Sequence, residues 1–96
     1  MRRHEGMFVR LPKLSRQLMY REIVCVEVVN HYVHFHLTTG ERVEVYATFG
    51  EIAQKLLGVP CFVQCHRSYI ANMDEIATIT GRSVTMRGGK VLPLSA

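Results

Sequence analysis

The sequence predicts a mainly β fold with one short α-helix, and three patterns support this prediction. Residues 23–28 are rich in β-branched side chains, which is typical of a well-buried strand. Residues 32–37 alternate strictly between two kinds of side chain, as a half-buried strand does. Residues 49–57 place their apolar side chains at helical spacing and form the one clear helical pattern. We therefore expect antiparallel strands joined by hairpins, with one helix.

Hairpins join the first predicted strands. Asn30-His31 gives a turn signal after the buried strand. In the strand that follows, the alternation puts Tyr32, His34 and His36 on one face and Val33, Phe35 and Leu37 on the other. Residues 39–41 (Thr-Gly-Glu) close a second hairpin, and residues 42–46 return with the same alternation.

The predicted helix has signals at both ends. Thr48 and Glu51 have capping-box spacing, so Thr48 is predicted to cap the helix while Glu51 reaches back. Gly58 is predicted to end the helix in the left-handed conformation, and Pro60 prevents its continuation. The apolar stripe of the helix consists of Phe49, Ile52, Ala53, Leu56 and Leu57.

Shorter strands follow the helix. We predict them at residues 61–65, 76–79, 84–86 and 91–94. Residues 87–90 contain Gly88-Gly89 and are predicted to form a tight hairpin turn, because glycine tolerates the positive φ of primed turns. Pro93 suits an edge strand, since proline donates no hydrogen bond to a neighbouring strand.

The positive charge is concentrated at the start of the chain. The 96 residues include 12 Lys and Arg and 8 Asp and Glu, for a net charge of +4. Residues 1–21 hold six basic residues and one acidic residue, whereas residues 22–96 hold six basic and seven acidic residues. Pro12 marks an early break, so we predict a basic arm or linker at 1–13 and a folded domain at 14–96. Such an arm favours nucleic acid or an anionic membrane surface, or is simply a solvated linker.

Composition excludes several classes of protein. At 48% hydrophobic and 21% charged residues, the chain can form a modest core and is not disordered. Three cysteines are an odd number, which disfavours a disulfide framework and favours a reduced, cytoplasmic setting. The sequence shows neither a signal peptide nor an apolar run long enough to span a membrane.

Metal and catalytic sites are disfavoured. Cys61, Cys65 and His66 have the approximate spacing of one zinc knuckle, but a structural zinc site needs two. Ser68 lies near His66 in sequence, yet no nucleophile elbow and no phosphate-binding loop surround it. A His-dependent or metal-dependent nuclease stays open as an alternative, with its base drawn from His31, His34, His36 and His66.

Polar residues at two loops point to nucleic-acid recognition. Asn30 and His31 lie at a strand turn, and Arg67 and Ser68 come just after a strand. An arginine can bind guanine O6 and N7 bidentately, worth about 1–3 kcal/mol of discrimination. Alternatively, Asn30 and His31 merely form the turn while Arg67 pairs with a carboxylate. The residue pattern alone leaves both interpretations open.

The order of these segments adds a more specific signal. An Ile-Val-Cys-Val-Glu strand (23–27) and an Asn-His-Tyr-Val segment (30–33) precede the small helix. The run His-Arg-Ser-Tyr-Ile-Ala-Asn (66–72), a Gly-Gly-Lys hairpin and Leu-Pro-Leu-Ser (92–95) follow it. Over about residues 14–96 this order resembles the LytTR-type DNA-binding domain of bacterial transcription regulators.

The resemblance implies an elongated, mainly β domain without enzymatic activity, cofactor or metal. Loops of such domains, rather than a recognition helix, enter successive major grooves on one side of the duplex. The domains usually bind paired direct repeats in promoter DNA and commonly follow a receiver domain. We therefore expect a fragment of a cytoplasmic regulator with no membrane partner and no small-molecule substrate. A β-rich protein-interaction module remains the main alternative.

The resemblance also assigns roles to residues. His31 matches the first base-reading loop position of the family, and Arg67 matches the polar position after the motif His. We expect both to read bases and Ser68 to touch a phosphate, and Asn30 is a weaker candidate. Phosphate attraction is further expected from Lys90, Arg42 and the basic arm. His66 and Tyr69 are expected to hold the loop backbone, and Asn72 to brace the following turn.

Two positions depart from the family pattern. Gln64 stands where members often have a basic residue, so one backbone contact is expected to be missing. A DNA-contacting Arg commonly follows the final Pro-x-Ser, whereas this sequence ends at Ala96.

Overall fold

The chain forms ten strands and one α-helix within residues 5–95, the part that the computed structural model describes. In chain order these are β1 (Gly6–Arg10), β2 (Ser15–Met19), β3 (Ile23–Val29), β4 (Tyr32–Leu37), β5 (Arg42–Tyr46), α1 (Phe49–Leu56), β6 (Phe62–His66), β7 (Tyr69–Asn72), β8 (Ile76–Ile79), β9 (Ser83–Met86) and β10 (Val91–Pro93). Two single 3-10 turns precede β3 and β8. The prediction of a mainly β fold with one short helix is confirmed.

The strands form three antiparallel sheets. A five-stranded sheet has the order β5-β4-β3-β7-β6, a three-stranded sheet has the order β10-β9-β8, and β1 pairs with β2. The five-stranded sheet is the middle layer, with α1 and the β1–β2 hairpin on one face and the three-stranded sheet on the other. The described residues extend over 39 × 36 × 24 Å, so the domain is flattened and extended in two directions.

The larger hydrophobic core lies between the middle sheet and the layer formed by α1 and the β1–β2 hairpin. The alternation of β4 places Val33, Phe35 and Leu37 in this core, as predicted. Ile52 and Leu56 of α1 pack against the same face. The remaining buried members of this core are Met7, Val9, Leu18, Ile23, Val26, Val43, Val45, Phe62 and Ile70.

A smaller core lies on the opposite face of the middle sheet. Its buried members are Val24, Cys25, Ala71, Val84, Met86 and Leu92. A register shift in β3 between Ile23 and Cys25 accompanies the burial of Val24 and Cys25 in the same cluster. Burial raises the pKa of the Cys25 thiol to about 12, so this cysteine is an unreactive core residue. Two covering layers thus explain why β3 is apolar on both faces.

The helix begins as predicted and ends differently. The Thr48 hydroxyl accepts a hydrogen bond from the Glu51 N–H, and the Glu51 carboxylate accepts one from the Thr48 N–H. The expected left-handed conformation at Gly58 is wrong, because Gly58 has no positive φ. Leu57 stays right-handed, and the Val59 N–H bonds the Leu56 carbonyl at 2.9 Å. This turn and Pro60 end the helix without a left-handed residue.

Part of the expected N-terminal arm belongs to the core. Residues 6–10 form β1, which pairs with β2 along its whole length. Met7 and Val9 alternate with exposed neighbours and are buried. This short alternation keeps β1 on the domain, so residues 6–10 are not a loose segment. Arg2 and Arg3 lie outside the described residues, and the division into an arm and a domain at residue 14 stays a prediction.

The hairpin between β9 and β10 has the predicted turn chemistry. Gly88 and Gly89 have φ values of 95° and 102°, which favour glycine. The Met86 N–H bonds the Lys90 carbonyl at 2.7 Å and closes the turn. Strand β10 lies at the edge of its sheet, where Pro93 costs no hydrogen bond to a neighbouring strand.

Polar side chains line part of the second face of the middle sheet. His34 is buried, and its Nε2 lies 2.8 Å from the Glu44 carboxylate. His36 Nε2 lies 2.6 Å from the Glu27 carboxylate, whose other neighbour is Lys90 Nζ at 3.4 Å. Burial lowers the pKa of His36 and outweighs the effect of Glu27. Burial opposes ionisation of Glu27 as well, but the His36 hydrogen bond and the Lys90 charge together lower its pKa.

Asn72 connects three segments from a buried position. Its side chain is 1% exposed, and Nδ2 donates hydrogen bonds to the carbonyls of Ile23 at 2.9 Å and Tyr20 at 3.5 Å. Its Oδ1 accepts the Asp74 N–H at 2.9 Å and caps the 3-10 turn after β7. The expectation that Asn72 braces the following turn is confirmed, and the same side chain also fixes the start of β3.

Replacing Asn72 with alanine is expected to lower the free energy of unfolding by about 2–3 kcal/mol, because buried polar groups lose their partners. Urea unfolding of residues 1–96 measures this change. Gln54→Ala on the exposed face of α1 is the control and should change stability by less than about 0.5 kcal/mol. Equal stability of the two variants would contradict the bracing role.

Acidification is expected to destabilise the fold through His36. Because burial lowers its pKa below the usual 6.5, the unfolded chain binds this proton at a higher pH than the folded chain. The contribution of His36 to the free energy of unfolding is therefore fully present above about pH 6.5, and it is lost as the pH falls toward the folded-state pKa. His36→Gln keeps a donor for Glu27 without titrating, so its unfolding free energy should fall less between pH 7 and pH 5. The same fall in both proteins would exclude His36 as the source.

Candidate nucleic-acid interface

Two short loops lie at the same end of the middle sheet, where β3 and β6 end and β4 and β7 begin. Asn30-His31 connects β3 to β4, and Arg67-Ser68 connects β6 to β7. Strand β7 lies antiparallel beside β3, and the Val28 N–H bonds the Ser68 carbonyl at 3.1 Å. The two loops are therefore separated by about two strand spacings, roughly 10 Å. The topology brings the four predicted loop residues together.

The β3–β4 loop consists of two residues that are both exposed. The pair Val29 and Tyr32 closes the ladder on either side of it. Asn30 has a φ of 57°, a left-handed conformation that asparagine adopts more readily than most residues. Within residues 5–95 no hydrogen bond or ion pair engages the His31 side chain. The sharp turn thus presents an imidazole that is available to a ligand.

The β6–β7 loop is held by the side chain that precedes it. His66 Nδ1 accepts the Ser68 N–H at 3.1 Å, and the His66 ring packs edge-on against Tyr69 with centroids 5.4 Å apart. This geometry agrees with the expected backbone-holding role of His66. Arg67 at the tip is exposed, and no carboxylate in the described part of the chain pairs with its guanidinium. The alternative interpretation of Arg67 as an ion-pair residue therefore finds no partner.

Lys90 lies elsewhere. Its ammonium is paired with Glu27, and it shares a shallow depression with Thr38 and Gly40 of the β4–β5 turn. That turn lies at the opposite end of the middle sheet from the two loops, because β4 runs away from His31. Arg42, the first residue of β5, also lies at this opposite end. The structure thus does not bring these two cations to the loop residues.

Two neighbours of the loops were not predicted from the sequence. Tyr46 ends β5 beside the β3–β4 loop and lines an open groove of about 500 Å³ with Asn30, His31 and Thr48. Its place at the end of an alternating strand was a usable signal. The second neighbour is Ser95, which lines a shallow depression with His66 and Arg67. There the Leu94 N–H bonds the Arg82 carbonyl and the Ser95 N–H bonds the Cys65 carbonyl. No local pattern indicates that pairing.

The arrangement lacks a recognisable centre for metal or nucleophilic chemistry in the part that the structure describes. No group of three or more His, Cys, Asp or Glu side chains there is placed to hold a metal ion. Burial raises the pKa of Cys61 and of Cys65, which keeps both thiols protonated. His34 and His36 are engaged by the carboxylates of Glu44 and Glu27 on the second face of the middle sheet. Across residues 5–95, no helix is long and apolar enough to cross a membrane.

Comparison with known proteins identifies the fold and the family. A family model described as the LytTr DNA-binding domain matches residues 14–96. A solved structure, the LytTr DNA-binding domain of a putative methyl-accepting/DNA response regulator from Bacillus cereus, is similar with a TM-score of 0.73. It shares 18% sequence identity, and the similarity covers 95% of this chain and 86% of that chain. No curated protein matches the sequence. The chain therefore belongs to the LytTR family of DNA-binding domains.

Proposed function

We propose that this DNA-binding domain reads promoter sequence as the output domain of a bacterial transcription regulator, with the Asn30-His31 and Arg67-Ser68 loops facing the duplex. The observation that carries the proposal is that His31 and Arg67 lie at one end of the middle sheet. Neither side chain has an ion-pair partner within residues 5–95. Uncompensated polar groups on rigid loops are suited to base edges and phosphates.

The four loop residues take different roles in this proposal. Arg67 forks onto guanine O6 and N7, the commonest specific contact in a major groove. His31 reads a second base from the neighbouring loop. Ser68 and Asn30 contact phosphates, which position the domain without specifying sequence. Lys90 is not included, because Glu27 neutralises its charge on the sheet face.

The dimensions of the domain support binding along one side of the duplex. Its two larger extents, 39 and 36 Å, each exceed one turn of B-DNA, about 34 Å. The two loops lie at one end of the middle sheet, roughly 10 Å apart. We propose that this end of the domain faces successive major grooves and that two copies occupy direct repeats.

The cellular setting of the proposal follows from the family. The similar Bacillus cereus structure is described as a domain of a response regulator. We propose that a receiver domain accompanies this domain in the full-length regulator, which acts in the bacterial cytoplasm within a two-component system. The proposed role requires neither a cofactor nor enzymatic activity.

Selection of bound sequences from a random duplex pool tests the function directly. Residues 1–96 are expected to enrich a pair of direct repeats whose half-sites share one sequence. Recovery of a protein partner from the same preparation, with no enrichment of any duplex, would instead support a protein-interaction module.

Arg67→Ala is expected to weaken binding to the selected site by about 1–3 kcal/mol and to erase the preference for one base pair in each repeat. Fluorescence anisotropy and a repeated selection measure the two effects. Arg42→Ala removes the same charge from the opposite end of the middle sheet and should leave the base preference intact. If both variants enrich the wild-type sequence equally well, Arg67 does not read a base.

His66 is expected to act through the loop that it holds. His66→Phe keeps a ring against Tyr69 but removes the acceptor for the Ser68 N–H, so binding should weaken by about 1 kcal/mol. His66→Asn supplies an acceptor and should restore part of the affinity. Thermal unfolding checks that both variants are folded. Wild-type affinity of a folded His66→Phe variant would show that the hydrogen bond does not matter for binding.

A further inference from the structure

The tip of the β1–β2 hairpin carries two cations beside two exposed tyrosines. Arg10 ends β1, and Lys13 lies in the turn before β2. An open groove of about 820 Å³ separates this tip from Tyr32 and Tyr46. Tyr46 also lines the groove beside Asn30-His31, so this side chain borders both grooves.

The hairpin tip is held rigidly against the domain. Met7, Val9 and Leu18 are buried in the larger core and anchor both strands. The Leu11 N–H bonds the Leu14 carbonyl at 2.8 Å across the turn, and Pro12 fixes one backbone angle within it. The positions of Arg10 and Lys13 relative to the His31 loop are therefore set by the fold.

The two tyrosines are not explained by the core. Tyr32 and Tyr46 are cross-strand neighbours, 41% and 76% exposed, with ring centroids 5.6 Å apart in an edge-to-face arrangement. Such rings offer an apolar surface for a sugar and a hydroxyl for a phosphate. Their exposure fits contact with a partner that is both apolar and anionic.

The charges of the groove favour an anion. Arg10 and Lys13 are exposed, and neither forms an ion pair with another residue in the range 5–95. Glu44 is the acidic residue that lines the groove, and its carboxylate accepts a hydrogen bond from His34 at 2.8 Å. Two cations thus face one carboxylate that is already engaged. A duplex bound at the adjoining His31 loop would place its own phosphates next to this groove.

We propose that Arg10 and Lys13 bind the DNA sugar–phosphate backbone on the outer side of the His31 loop, with Tyr46 against a deoxyribose. This inference rests on the proposed function, and it adds a second contact surface that contributes affinity and register rather than base preference. The hairpin then clamps the duplex from beyond the reading loops. Each neutralised phosphate releases counterions, so the surface has a measurable salt signature.

The test compares two double variants that remove equal charge. Arg10→Gln with Lys13→Gln changes the hairpin tip. Arg42→Gln with Lys55→Gln changes two other exposed cations, at the start of β5 and in the last turn of α1. Binding of residues 1–96 is measured by anisotropy from 50 to 400 mM NaCl, on the selected site and on a scrambled duplex of equal length. Thermal unfolding confirms that both variants are folded.

The tip variant is expected to lose about 1.8 from the steepness of the log–log salt dependence, since each phosphate contact contributes about 0.9. Its deficit relative to wild type should then widen by about 3.5-fold with each halving of the salt concentration. The deficit should be equal on the selected and scrambled duplexes, because backbone contacts carry no base preference. The control variant should keep most of the wild-type slope.

Trimming the duplex gives an independent readout. Removing flanking base pairs on the His31 side should weaken wild-type binding and leave the tip variant unchanged. Equal slopes for the tip and control variants, or an equal response to trimming, would overturn the inference while Arg67-dependent base preference persisted. Absence of duplex binding by the wild-type protein would instead overturn the proposed function itself.

Discussion

The coverage of strand β3 on both faces is the constraint on which the rest of this structure depends. Residues 23–26 are all buried, because one face packs against α1 and the β1–β2 hairpin and the other against the three-stranded sheet. A strand in this position must be central, and it pairs with β4 on one side and β7 on the other. The β3–β4 loop and the β6–β7 loop therefore lie side by side at the C-terminal end of β3, because β4 and β7 both pair with it. The core thus determines where these two loops lie.

The second covering layer ends where the polar side chains begin. Beyond Cys25 and Ala71, the same face of the sheet carries Glu27 and His36, joined by a hydrogen bond and by the charge of Lys90. The neutral imidazole of His36 donates a hydrogen bond to the Glu27 carboxylate, so each of these partly buried groups bonds the other in place of water. The arrangement also uses up a cation that the sequence alone suggested for DNA. Lys90 is thus paired on the face of the sheet, whereas Arg67 on its loop and Arg10 and Lys13 at the hairpin tip form no ion pair within residues 5–95.

The sequence predicted what depends on near neighbours. The strand alternation of Val33, Phe35 and Leu37, the capping box of Thr48 and Glu51, and the glycine turn all involve residues a few positions apart. The resemblance carried the LytTR identification, since the 66–72 run has no local physical meaning that distinguishes DNA binding from packing.

Features that depend on distant pairing escaped prediction. The chain needs the whole core before Met7 and Val9 of β1 find a place in it, and a segment of five residues gives too short an alternation to predict this. The engagement of Lys90 by Glu27 joins positions far apart in sequence. Gly58 shows the opposite error, since a residue that permits a left-handed conformation did not need to adopt one. Whether a cation is free or paired is decided by such long-range contacts.

The brevity of the two loops proposed to read DNA has a consequence for the history of the domain. Each loop has two residues between paired strands, and its exposed side chains contribute little to the stability of the fold. Few backbone torsion angles remain to be frozen on binding. Under the proposed function, a new side chain at His31 or Arg67, which need no left-handed backbone, would change the preferred operator at little entropic cost. Duplicated genes encoding such a scaffold can acquire separate target promoters through a handful of substitutions. Regulatory circuits built on this domain can diverge while its core stays the same.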